Sequence, residues 1–123
     1  MKITGFRPLI MSNDAERVRA HLEALGFAKT HEKKDVTEAH DGGFRMKNAD
    51  GYDIAVAQVG HMPQDMMAVQ MNVDDFDEAY ELLTARGFKN MRGDGDVIET
   101  GSSQTSMLVS PYGLWVNIVH HVK

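Results

Sequence analysis

One helix signature occurs twice in this chain at matched spacing. Asp14 and Asp75 each stand 12 residues before a Gly-Phe pair, Gly26-Phe27 and Gly87-Phe88. A short polar side chain satisfies the free N–H groups that open a helix, and glycine takes the left-handed conformation that closes one. Between these markers Val18, Leu22 and Leu25 keep helical spacing in the first segment, and Phe76, Ala79, Tyr80 and Leu83 keep it in the second. The pattern predicts a first helix over residues 14–25, with Asn13 as N-cap and Glu16 completing a capping box. Asp74 or Asp75 caps the second helix, which Gly87-Phe88 ends.

The strands around the helices repeat as well. An apolar run over residues 2–11 precedes the first helix, and Met66 to Val73 precedes the second. After the first helix, Phe27 to Val36 reads as a strand, Gly42-Gly43 breaks it, and Phe44 to Lys47 turns through Asn48-Ala49-Asp50-Gly51 into Tyr52 to Val59. After the second, a glycine-rich hairpin region at 93–103 leads to Gln104 to Ser110. Pro111-Tyr112-Gly113 then turns into Leu114 to His121. Gly51-Tyr52 and Gly113-Leu114 are equivalent openings to the last strand of each half. Gly60-His61-Met62-Pro63-Gln64-Asp65 is the most linker-like stretch. The prediction is an α+β chain of two βαβββ modules, over about residues 1–60 and 65–123, that form a cup-shaped mixed β-sheet with flanking helices. Each half of about 60 residues is too small to bury a comfortable core alone, so the two are expected to make one domain.

Composition narrows the function classes. The chain has 123 residues, a formal charge of -5 and no cysteine, which excludes disulfides, a thiolate nucleophile and a thiolate metal site. No Lys/Arg cluster with interleaved aromatics points to nucleic acid, and no apolar stretch approaches the roughly 20 residues of a membrane helix. The first residues carry no secretory signal, so a cytoplasmic address is expected. The nine methionines suit gap-filling in a core or the lining of an adaptable apolar pocket.

The order of these markers resembles the vicinal oxygen chelate superfamily, which includes glyoxalase I, extradiol dioxygenases, fosfomycin-resistance enzymes and bleomycin-resistance proteins. The resemblance covers nearly the whole chain. It is carried by Met11-Ser12-Asn13-Asp14, Leu25-Gly26-Phe27, Arg86-Gly87-Phe88 and the closing Ser110-Pro111-Tyr112-Gly113-Leu114-Trp115-Val116-Asn117-Ile118. In the metal-dependent members the resemblance implies a divalent ion held by one residue from the first and last strand of each half. Those positions fall on or next to Phe6, Ala55, Ala68 and Asn117. None is His, Asp or Glu, and an alkyl or phenyl group has no lone pair for a cation. Among the neighbours, Thr4, Arg7, Val56, Met67, Val116 and Ile118 offer nothing better. Only Asp53, Gln70 and Asn117 carry a suitable oxygen, each at a different register slip. No metal and no cofactor is expected.

Other constellations read as structure. His21, His31, His40 and His61 fall in polar segments, and His120-His121 end the last strand with side chains on opposite faces. Ser106 and Ser110 lack a nucleophile elbow, Tyr52 and Tyr112 sit at glycine turns, and Asp94-Gly95-Asp96 lacks the remainder of a calcium loop.

A pocket remains. If Asn117 faces into the cup, alternation sends Trp115 and Val119 the same way and groups Ala68, Gln70 and Asn72. Phe6, Phe44, Met46 and Met107 are expected as apolar walls. Phe6, Phe44, Met46, Gln70, Met107, Trp115 and Asn117 are therefore the candidate ligand-binding residues, suited to a small flat or amphipathic molecule. The same side chains also suit a filled core or a dimer interface. By resemblance to the bleomycin-resistance branch, the expectation is a metal-independent small-molecule-binding homodimer. A metal-dependent lyase, isomerase or dioxygenase with nonstandard ligands, or a structural or regulatory dimer with a closed cup, are the alternatives.

Overall fold

The structure is a computed structural model, and it describes residues 1–33, 43–60, 62–93, 95–99 and 102–121. Both helices appear where the paired markers put them, as α1 (Ala15–Ala24) and α2 (Phe76–Ala85). Each ends in a Schellman motif. Phe27 N–H donates to Leu22 O and Gly26 N–H to Glu23 O, while Phe88 N–H donates to Leu83 O and Gly87 N–H to Thr84 O, all at 3.0–3.1 Å. Gly26 (φ 103°) and Gly87 (φ 98°) supply the left-handed residue that this motif requires. The N-cap of α1 is Asp14, not Asn13: the Asp14 carboxylate accepts from Arg17 N–H, as Asp75 accepts from Glu78 N–H on α2. Asn13 is used elsewhere, its Nδ2 donating to Met62 O at 2.7 Å.

The chain forms two compact units, Arg7–Met67 and Ala68–Lys123 together with Met1–Phe6. The division differs from the predicted halves because the opening of β1 (Ile3–Ser12) goes with the second module, where Lys2 N–H donates to Asp74 Oδ1 and Asp74 N–H to Lys2 O.

In the first unit β2 (Ala28–Lys33), β3 (Gly43–Lys47) and β4 (Asp53–Gln58) are joined antiparallel, and β4 lies parallel to the later residues of β1. Ala15, Val18 and Leu22 of α1 pack on Phe44, Met46 and Val56, with Ile10, Phe27 and Ile54 around them. The residues between these along the strands therefore occupy the other face. The predicted strand residues 34–36 lie outside the described residues.

In the second unit the order runs β1, β5 (Met66–Val73), β9 (Trp115–His121), β8 (Ser103–Val109) and β6 (Lys89–Asn90), and β7 (Ile98–Glu99) pairs with β8. Phe76 and Ala79 of α2 pack on Val73, Leu108, Val116 and Ile118. The strands β5 and β9 are parallel, β8 and β9 antiparallel. The fold is α+β with mixed pairing. Among the described residues no helix is long and apolar enough to cross a membrane.

The repeat extends to the turn before the last strand of each unit. Asn48 Oδ1 accepts from Asp50 and Tyr52 N–H, and Ser110 Oγ accepts from Tyr112 and Leu114 N–H. Gly51 and Gly113 hold positive φ in both.

Candidate functional site

Strand pairing brings three of the predicted ligand residues abreast in the second unit. Gln70 on β5 is opposite Asn117 on β9, which is opposite Met107 on β8. Because Val116 and Ile118 point into the cluster under α2, Asn117 points to the face turned away from that helix, and Gln70 and Met107 share it. Trp115 and Val119 flank Asn117 on the same face. Gln70, Met107, Trp115 and Asn117 are all partly exposed. Asn117 Nδ2 lies 3.5 Å from Gln70 Oε1, the outer limit of a hydrogen bond, so each amide keeps donors and acceptors to offer. An apolar thioether, an indole and two amides can hold a flat or amphipathic molecule by stacking and oriented hydrogen bonds.

Three expected wall residues lie elsewhere. Phe44 and Met46 are 7% and 0% exposed inside the core beneath α1, because β3 turns that parity toward the helix. They fill a core and cannot wall a pocket on the opposite face. Phe6 is 66% exposed and alternates with Arg7, whose side chain takes the face away from α1.

On that face of the first unit the structure assembles a cluster that sequence spacing left scattered. Arg7 Nε donates to Asp53 Oδ1 at 3.2 Å, and Arg45 Nη2 donates to Asp53 Oδ2 at 3.1 Å. In the sequence Arg7 is only a neighbour of Phe6, and Asp53 a neighbour of Ala55 with an oxygen that suits a cation. Arg45 was hidden between Phe44 and Met46, although the same alternation that buries those two sends Arg45 out beside Ala55, its partner in the β3–β4 register.

The donor chemistry at the positions implied by the superfamily resemblance does not fit a divalent cation. The residue facing away from α1 on β1 is Arg7, a permanent cation; Ala55 and Ala68 have no lone pair; Asn117 carries one amide already in contact with Gln70. Among the described residues no group of three or more His, Asp or Glu side chains is placed to hold a metal.

The remaining polar candidates are turn, core, strand-pairing or surface residues. Ser110 Oγ closes its turn, Ser106 is 1% exposed, and His120 Nδ1 lies 3.3 Å from Gln104 Oε1 on the adjacent strand. Tyr52 and Tyr112 are 70% and 99% exposed at their turns. His40, His61 and Asp94 lie outside the described residues. A shallow pocket of about 400 Å³ lies against Tyr80, Thr84, Phe88 and Lys89, away from the amide pair. The Tyr80 hydroxyl there accepts from Asn90 Nδ2 and Gly95 N–H, which makes it a brace for the loop after β6.

The fold defined by these elements is that of the glyoxalase/bleomycin resistance protein/dioxygenase superfamily. A member of that superfamily from Vibrio splendidus 12B01 aligns over 94% of this chain and 97% of its own, with a TM-score of 0.60 and 15% identity. A glyoxalase I mutant from Zea mays aligns over 97% of this chain and 43% of its own, at a TM-score of 0.69 and 18% identity. A protein from Staphylococcus aureus covers 98% of this chain and 99% of its own, with a TM-score of 0.66 and 11% identity. No protein-family profile matches the sequence, and no curated protein matches it significantly. At these identities the likeness is one of fold.

Proposed function

We propose that this chain is a metal-independent small-molecule-binding protein, similar to bleomycin-resistance-type proteins, that acts by holding its ligand. The observation that supports this reading is the donor set on the strands. Phe6 or the adjacent Arg7, with Ala55, Ala68 and Asn117, stand where the resemblance implies metal ligands, and a phenyl or guanidinium group, two methyl groups and one amide are a poor set for any divalent ion. The Gln70–Asn117 pair, with Met107 and Trp115 beside it, is the proposed binding surface. The protein is proposed to work as a cytoplasmic homodimer.

Elemental analysis of protein purified without a histidine tag tests the first half of the proposal, followed by thermal shifts with nickel, zinc, manganese and iron(II). No metal and no shift are expected. About one equivalent per chain with clear stabilisation would replace this reading with a metalloenzyme using nonstandard ligands. A broad small-molecule thermal-shift screen tests the second half. Hits should weaken at least tenfold in Trp115→Ala and Asn117→Ala; unchanged affinity in both would remove the amide surface from the site.

A further inference from the structure

We propose a further binding site in this protein, a seat for a small aromatic carboxylate on the helix side of the second unit, between α2 and the loop that follows β6. It does not depend on the amide surface, which lies on the sheet face of the same unit turned away from α2.

α2 closes at Gly87-Phe88, and only two residues of strand follow in β6 before the chain folds back through Gly93 and Gly95. Between the last turns of the helix and that loop the protein leaves an open pocket of about 400 Å³, lined by Tyr80, Thr84, Gly87, Phe88, Lys89 and Gly95. The volume is in the range of small-molecule sites. Solvent reaches it: Gly87, Lys89 and Gly95 are exposed, and among the described residues nothing lies within 4 Å of where a Cβ on Gly95 would stand.

Tyr80 presents a donor to this pocket. Asn90 Nδ2 and Gly95 N–H donate to its hydroxyl at 3.2 and 3.0 Å, which fills both acceptor directions of the oxygen. The O–H proton remains, and it meets no acceptor among the described residues. Lys89 adds an ammonium group that makes no ion pair among the described residues. The Thr84 hydroxyl is spent on its own helix, donating to Tyr80 O and Glu81 O. No carboxylate lines the pocket among the described residues, and Asp96 on the loop is engaged by Arg92 Nε at 3.5 Å. A hydroxyl donor and a cation without a competing acid suit an oxyanion. Phe88, packed on the α2 core and partly exposed, offers an aromatic surface to the body of the ligand. A carboxylate on a ring uses both halves of the pocket; a hydrated inorganic oxyanion uses only the first.

The internal repeat separates what the fold requires from what this pocket holds. At the spacing that pairs Asp14 with Asp75 and Gly26 with Gly87, Phe88 answers to Phe27. That pair recurs because the residue after the left-handed glycine packs back on the helix it closes. Tyr80, Thr84 and Lys89 answer instead to Arg19, Glu23 and Ala28. The phenol and the ammonium therefore belong to the second module alone, and helix closure does not explain them.

Proton–nitrogen correlation NMR of the full chain tests the proposal at the backbone amides of Gly87, Phe88, Lys89 and Gly95. Benzoate, acetate, benzyl alcohol and inorganic phosphate are titrated at constant ionic strength. Benzoate is expected to shift these resonances and to bind about tenfold more tightly than acetate, which lacks the ring, or benzyl alcohol, which lacks the charge. Lys89→Gln should weaken benzoate about fivefold, the upper worth of an exposed ion pair, and Lys89→Arg should retain the parent affinity. Both variants alter an exposed side chain and leave the fold intact. Tyr80→Phe also removes the brace on Gly95, so the lysine variants carry the test. No benzoate shift at these amides, or shifts confined to Gln70 and Asn117, would overturn the site. Equal benzoate affinity in parent and Lys89→Gln, or benzyl alcohol binding as tightly as benzoate, would overturn the anion assignment. Acetate or phosphate binding as tightly as benzoate would overturn the aromatic one. Failure of the amide-surface screen affects none of these readings, and failure here leaves that screen intact.

Discussion

Ser12 and Asp65 are joined by a 2.7 Å hydrogen bond, Ser12 Oγ donating to Asp65 Oδ1 across 53 positions of sequence. Arg17 Nη2 donates to the same carboxylate oxygen at 2.7 Å, and Ser12 Oγ in turn accepts from Asp14 N–H. The stretch that reads as a linker is thus fastened at its far end to the start of α1.

That clasp gives a pH dependence. The Ser12 hydroxyl first, and the Arg17 guanidinium second, hold the Asp65 carboxyl below its ordinary value. A carboxyl depressed in the folded state stabilises the fold above its unfolded pKa, and the contribution is lost as pH falls through the folded one. Asp65→Asn is expected to be less stable than the parent at pH 7, with the gap closing below about pH 4. Urea midpoints at pH 7, 5 and 3 measure it; a gap independent of pH would show that the carboxylate charge is not what holds the clasp.

The corrected cap of α1 separates two neighbours. Asp14→Ala should cost about 1 kcal/mol, the usual value of an N-cap, because its carboxylate accepts from Arg17 N–H. Asn13→Ala should leave helix content unchanged and loosen the 62–65 segment, since Asn13 Nδ2 binds Met62 O. Circular dichroism with hydrogen exchange at residues 15–18 distinguishes the two, and equal loss of helix protection in both would return the cap to Asn13.

Met46 and Phe6 make a contrast between core and surface. Met46 is 0% exposed beneath α1, so Met46→Ala should cost about 2–5 kcal/mol. Phe6→Ala removes a side chain that is 66% exposed and should change stability by no more than about 0.5 kcal/mol. Chemical denaturation of both variants checks the assignment, and a small loss for Met46→Ala would place that residue back at an open surface.

Elements are legible in the sequence where local chemistry carries the information and illegible where strand parity does. The Gly26-Phe27 and Gly87-Phe88 pairs are legible because a Schellman motif needs a left-handed residue at a fixed distance from the cap. Met66–Val73 is legible as an uninterrupted apolar run. On β3 the faces were not legible: Phe44 and Met46 are apolar and suit a core or a pocket equally, and only the packing of α1 decides between them. The same uncertainty concealed the Arg7–Asp53–Arg45 cluster, whose members lie 46 and 8 positions apart and meet through strand register. The two-residue strands β6 and β7 have no periodicity to read at all.

The shared carboxylate of Asp53 makes its neighbours unequal in what they lose. Asp53 is the acceptor for Arg7 among the described residues, and its side chain is 19% exposed against 8% for Arg7. Asp53→Ala leaves a buried guanidinium without its counter-ion, which should cost about 3 kcal/mol or more. Arg7→Met removes the cation and keeps its stem, while Asp53 retains Arg45 at 3.1 Å, so the loss should be far smaller, below about 1.5 kcal/mol. Ordinary charge removal predicts the opposite symmetry, equal losses from either side of one ion pair. Denaturant midpoints of the two single variants and the double variant decide it. In the double variant the penalty of Asp53→Ala should largely disappear, since the guanidinium that suffered from it is gone; additive losses would mean that Asp53 acts on the fold by some route other than Arg7.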